Sequence, residues 1–162
     1  MEQHILCLKD FPMPPSLNHG YFNLPRGGRA PTKELKDFKR QVELWTLANK
    51  SSLGAFKQLW EGPWNRAAAF KLTIYFVMAK ERIYTLQGKA KKLDVSNRIK
   101  FAEDGIAQAI GIDDRYFFGV SAEKLIGEKE HCVVMIEPHY PISSVELMKS
   151  LEGGFDTTSQ EQ

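Results

Sequence analysis

The sequence predicts an α/β (α+β) domain, a mixed β-sheet with helices packed against it in the order β-α-(α)-β-α-β-β. Three observations carry this. Residues 70–78, Phe-Lys-Leu-Thr-Ile-Tyr-Phe-Val-Met, form a strand-length run rich in β-branched and aromatic side chains. Ile99, Ala102, Ile106 and Ile110 recur at steps of three and four, which draws one apolar stripe along a helix. Helix-like and strand-like patterns alternate along 162 residues that are 43% hydrophobic, enough for one core. Residues 1–150 therefore read as one domain, and 151–162, glycine-rich, polar and acidic, as a disordered tail.

Residues 3–10 read as the first strand, ended by Phe11-Pro12-Met13-Pro14-Pro15, because proline has no N–H for a sheet ladder. Residues 18–31 have loop composition, with Gly20, Pro25, Gly27, Gly28 and Pro31. Arg26 and Arg29 in this loop suit phosphate contacts, and Tyr21 and Phe22 suit stacking on an unpaired base. Thr32 is placed to N-cap a helix to about Ala48, with Leu35, Phe38, Val42 and Trp45 on its buried side. Lys36, Lys39 and Arg40 occupy its solvated face. Residues 49–65 suggest a second short helix broken by Gly62-Pro63, and the three tryptophans belong to the core or an interface.

After the strand at 70–78, residues 79–92 carry Lys80, Arg82, Lys89, Lys91 and Lys92 against Glu81 alone. This is the strongest candidate in the chain for contact with a DNA backbone. Next comes the helix of the apolar stripe, with Ser96 as N-cap and Gly111 as the residue that closes it in a left-handed conformation. Residues 116–124 read as a strand, 126–130 as a hairpin connection, and 131–137 as its partner.

Charge is distributed unevenly. Residues 1–100 hold 18 Lys/Arg against 8 Asp/Glu, whereas 101–162 hold 4 against 12. A basic half points to a polyanionic partner, and an acidic half to a metal site or a solvating tail. Cys7 and Cys132 lie in apolar runs without metal-ligand spacing, which predicts buried thiols in a reducing, cytoplasmic setting. No apolar stretch approaches the ~20 residues that span a bilayer, and no signal-peptide pattern opens the chain. No P-loop is present, and His131 has no partner nucleophile or metal-ligand pattern.

The chemistry concentrates between residues 92 and 114. Asp94 precedes the helix, Asp113 and Asp114 follow it, and Asn97, Lys100 and Asp104 share a second helix face. Carboxylates from a loop, a helix and a following strand can hold Mg2+, which takes one or two of them and keeps several waters. The same residues also fit a capping aspartate, a solvated lysine and a turn. A 15-residue helix is about 22 Å long, so residues 94 and 114 approach only if the next strand runs back beside it.

Asp94-Val95-Ser96-Asn97-Arg98-Ile99-Lys100, with Asp113-Asp114 thirteen and fourteen residues past the lysine, resembles the D-x-D-N-x-x-K…D-D hallmark of RusA-type Holliday-junction resolvases, small phage and bacterial endonucleases. Pro14-Pro15-Ser16-Leu17-Asn18, the basic loop Arg26-Gly27-Gly28-Arg29, and Thr32-Lys33-Glu34 are similar to that family's first motif, and the resemblance spans residues 5–138. It implies a RusA-like homodimer that resolves four-way DNA junctions, with Mg2+ (or Mn2+) held by Asp94, Asp114 and Asp113, and with Asp94, Asp114 and Lys100 as the catalytic residues. A two-fold symmetric junction needs two symmetric nicks, which suits a C2 dimer. One departure stands out. Ser96 replaces the family's second motif aspartate and supplies no negative charge, leaving Asp113, Asp104 and Glu103 as carboxylates able to make up the deficit, with Ser96 and Asn97 in support. The alternatives are a catalytically weak branched-DNA binder and a structural protein on the same fold.

Overall fold

The computed structural model describes residues 5–64, 69–140 and 142–152. In chain order the elements are β1 (Leu6–Phe11), β2 (Tyr21–Asn23), β3 (Arg29–Pro31), α1 (Lys33–Ala48), α2 (Lys50–Glu61), β4 (Ala69–Met78), the single turn α3 (Lys80–Ile83), α4 (Ser96–Ile110), β5 (Phe117–Ile126), β6 (His131–His139) and α5 (Ser144–Glu152). Short 3-10 turns occupy Leu17–His19 and Asp114–Tyr116. Residues 3, 4 and 65, expected in the first strand and second helix, lie outside the described residues, as does the expected tail apart from Leu151 and Glu152.

A mixed four-stranded sheet in the order β1-β6-β4-β5 carries the fold. Phe70, Leu72, Ile74, Phe76 and Met78 of β4 alternate with more exposed neighbours and line one face. Cys132, Val134 and Ile136 of β6 and Leu6, Leu8 and Phe11 of β1 continue that face. Leu35, Phe38, Val42 and Trp45 of α1 are buried against it, as the stripe predicts. Phe56 of α2 and Phe101, Ala102 and Ile106 of α4 join the same cluster. Each large apolar side chain buried this way contributes about 1.5–3 kcal/mol, so the stripe of α4 holds the site helix to the sheet.

β4, α4 and β5 form a parallel β-α-β crossover, with Phe70 to Met78 registered against Phe117 to Ile126. The expected hairpin between β5 and β6 is not formed. β6 instead pairs antiparallel with β4 on its other side, from Ala69↔His139 to Val77↔His131. Residues 127–130 therefore arch over the end of β4 across two strand spacings, about 10 Å. Gly127 makes the arch possible: its N–H donates to the Met78 carbonyl at 2.9 Å, and a Cβ there would lie 2.3 Å from Val77 Cγ1. A four-residue gap between two strands reads as a hairpin only while the third strand between them is unknown.

Other expectations also change. The loop 18–31 contains an antiparallel ribbon, β2 on β3, closed by hydrogen bonds between Leu24 and Gly28 (3.0 Å) and Gly27 and Leu24 (3.0 Å). Cys7 is exposed, because it alternates with buried Leu6 and Leu8 on an edge strand, while Cys132 is fully buried and its thiol is pushed up to about 12 by that burial. Helix α5 has no counterpart among the sequence expectations. Its serine opens it with a reciprocal box: Ser143 N donates to Glu146 Oε2 at 2.7 Å, and Glu146 N to Ser143 Oγ at 3.2 Å.

Candidate active site

Helix α4 is built from its two ends. Gly111 closes it at φ +76°, where the N–H groups of Gly111 and Ile112 both reach the Ala107 carbonyl, at 2.9 and 3.0 Å. The opening differs from the expected Ser96 cap. The carboxylate of Asp94 does the capping: Oδ1 accepts from Ser96 N (2.9 Å) and from the Ser96 hydroxyl (2.5 Å), and Oδ2 accepts from Asn97 Nδ2 (3.0 Å). An anionic acceptor outbids a hydroxyl for the first-turn amides because it also meets the positive end of the helix. These bonds, the Ser96 hydroxyl first, hold the exposed Asp94 carboxyl below its ordinary range.

The second cluster forms where the chain leaves the helix. Lys100 Nζ donates to Asp114 Oδ2 at 2.6 Å and lies 2.9 Å from Asp104 Oδ1. The Lys100 spacing to Asp104 is one helical turn, and Asp114 is carried back alongside by the turn before β5. The hydrogen bond from Lys100 lowers Asp114, and the same bond, followed by that to Asp104, raises Lys100. Both effects stabilise the charged pair. Glu103, half-buried on the adjacent face, is raised by its burial. Asp113 serves locally, accepting from Arg115 N at 3.0 Å with the Arg115 side chain 3.9 Å away.

Lys100, Asp104 and Asp114 are thus brought together by direct contacts, while Asp94, Ser96 and Asn97 form a second bonded group at the start of the helix. The hydrogen bonds and ion pairs of the described residues do not join the two. Among the described residues, no three His, Cys, Asp or Glu side chains gather closely enough to hold a metal ion. The donor chemistry nonetheless fits Mg2+: Asp94, Asp113 and Asp114 offer exposed hard oxygens, suited to an ion that keeps most of its waters.

The cationic segment forms a structured finger. Tyr84 and Ala90 bridge antiparallel, Thr85 N donates to Lys89 O at 2.8 Å, and Gly88 turns the chain at φ +75°. Lys80, Lys89 and Lys92 are exposed on it. Lys91 Nζ instead donates to the Glu81 carbonyl at 2.6 Å, and Arg82 pairs with Glu130 at 2.8 Å. Arg26 and Arg29 are exposed on the β2–β3 ribbon, which sits against α4 through Tyr21 and Phe101, whose rings lie 5.9 Å apart. Gly20 permits that contact, since a Cβ there would fall 2.2 Å from Phe101 Cζ.

Sequence reasoning missed Arg98. It donates through Nη1 to the Pro14 carbonyl, joining the proline motif to the start of α4, and its Nε is buried without a partner. It lines a cavity of about 820 Å3 together with Arg82, Glu130 and the segment from Asp10 to Ser16. A cation at an otherwise inward helix position was the available signal. Comparison with curated proteins finds no match. A protein-family model described as Endodeoxyribonuclease RusA matches residues 12–137.

Proposed function

Since the chain belongs to the RusA endodeoxyribonuclease family, we propose that it binds four-way DNA junctions as a homodimer and resolves them by paired, Mg2+-dependent phosphodiester hydrolysis. The observation that carries this reading is the Asp104–Lys100–Asp114 cluster on the face of a helix whose first turn is capped by Asp94. Asp94 and Asp114, with Asp113 beside them, would hold the ion. Bound there, Mg2+ would supply a more acidic water and charge neutralisation at the scissile phosphate. Lys100 is positioned by its two carboxylates and kept charged, so that its ammonium can meet the negative charge developing on a phosphate oxygen. The exposed Lys80, Lys89 and Lys92, with Arg26 and Arg29, would hold the flanking backbones without reading sequence. Mn2+ is expected to substitute, since it favours the same oxygen donors.

One observation favours a second reading, a branched-DNA binder of low catalytic power. The hydroxyl of Ser96 lies against Asp94 where the family pattern has a second carboxylate. A labelled four-way junction incubated with and without Mg2+ or Mn2+, resolved on a denaturing gel beside linear duplex, tests both. Paired nicks that require the metal are the expected result. Junction-selective binding without nicks would establish the second reading, and indifference to branching would overturn both.

A further inference from the structure

We propose that Leu86 is a wedge that enters the base stack at the branch point of the junction, an inference that rests on the branched-DNA reading. Leu86 is 102% exposed, far beyond the next large hydrophobics among the described residues, Leu47 and Val145 at 61%. Single exposed apolar residues are ordinary on a protein surface, so its setting decides the matter. It stands at the tip of the finger, where Thr85 and Lys89 are tied by N–H to O at 2.8 Å and by Lys89 N to Thr85 Oγ1 at 3.1 Å, and Gly88 N returns to Thr85 O at 3.0 Å. The base of the finger is fixed as well: Ile83 is buried, Tyr84 and Leu93 pack on the core, and Lys91 N donates to Ile83 O at 2.8 Å. The turn therefore presents Leu86 in one place without burying any of it.

Lysines share its segment: Lys80, Lys89 and Lys92 are exposed, and Lys91 is tied to the Glu81 carbonyl. An apolar protein surface closing over Leu86 would have to desolvate those ammonium groups, which is costly. Nucleic acid poses no such conflict. Its phosphates take the lysines, and the broadest apolar surface it offers a leucine is the face of a base. Proteins that bend or open DNA insert leucine between base steps in this way, at a cost of a few kcal/mol per unstacked step. At a branch point stacking is already interrupted, so the cost is least there. The finger runs through Lys92 and Leu93 directly into Asp94, so the chain links it to the candidate cleavage centre.

The test uses the full chain and four-way junctions with 2-aminopurine at the branch point, comparing wild type, Leu86→Ala and Leu86→Phe. Wild type should raise the fluorescence on binding, and Leu86→Phe, whose ring can also enter the step, should keep cleavage. Leu86→Ala should fail to raise the fluorescence, with a Kd within roughly threefold of wild type and cleavage lowered roughly tenfold or more. A junction carrying a mismatch at the branch point should restore cleavage by Leu86→Ala, because a mismatched base is already easier to unstack. Fluorescence and cleavage unchanged in Leu86→Ala would overturn the wedge while leaving the nuclease intact. Loss of cleavage that a mismatch does not restore would overturn it too, assigning Leu86 a structural role. A wild-type protein that neither binds nor cuts the junction would instead remove the branched-DNA reading itself.

Discussion

Asp94 commits both carboxylate oxygens to its own helix, and Ser96 supplies the shortest of those bonds. Its pKa is depressed in the fold, as is that of Asp114. The stability each contributes is present above the unfolded value near 4 and is lost as pH falls through the lower folded value. Asp94→Asn should therefore flatten the acid limb of the stability profile below about pH 4, read by circular dichroism. Lys100 shifts the other way, so its pair survives until pH rises past the ordinary lysine value and sets no limit near neutrality. Asp114→Asn should abolish cleavage while leaving junction binding intact or tighter, and Lys100→Ala should lower kcat more than affinity. Equal losses of binding and cleavage would mark a purely structural cluster. Ser96→Asp is the sharper test. Asp104 is engaged by Lys100 and Asp113 by Arg115, and neither contacts Asp94. A carboxylate added about 4 Å from a bound divalent ion is worth on the order of a few kcal/mol. The variant should lower the Mg2+ concentration for half-maximal cleavage, and an unchanged titration would show that the missing charge is supplied elsewhere.

Among the elements, α1 was legible because a cap and four buried positions declare themselves within one sequence window. The finger and the β2–β3 ribbon were not, since their bonds join backbone groups whose identity the side chains hide. Their shape changes which cations are free. Lys91 and Arg82 are occupied at the finger's base, leaving Lys80, Lys89 and Lys92 for phosphate. Replacing those three with Ala should flatten log Kd against log salt by about 0.9 per lost contact, and an unchanged slope would exclude the finger from the interface. The arch over β4 makes a separate prediction. Gly127→Ala must displace Val77, which is buried, and should cost about 1–3 kcal/mol in denaturant unfolding without altering junction affinity in the folded protein.

At the scale of the molecule, two nicks on opposed strands require two sites. Sedimentation of the protein with a junction should show two chains per four-way DNA, with a single chain per junction refuting the paired mechanism. The sheet that would carry each site is mixed because the chain crosses from β5 over β4 before it enters β6. By itself the sequence determined β1, α1, α2, β4, α4, β5 and β6, the proline and aspartate motifs, and the family they resemble. All of these depend on residues near one another in the chain, where period, caps and motif spacing act. Tertiary structure alone decided the strand order, the pairing of Lys100 with Asp114, and the tie from Arg98 to Pro14. Those contacts join residues 14 to 84 positions apart or depend on which strand lies between two others, and burial of the whole core sets them.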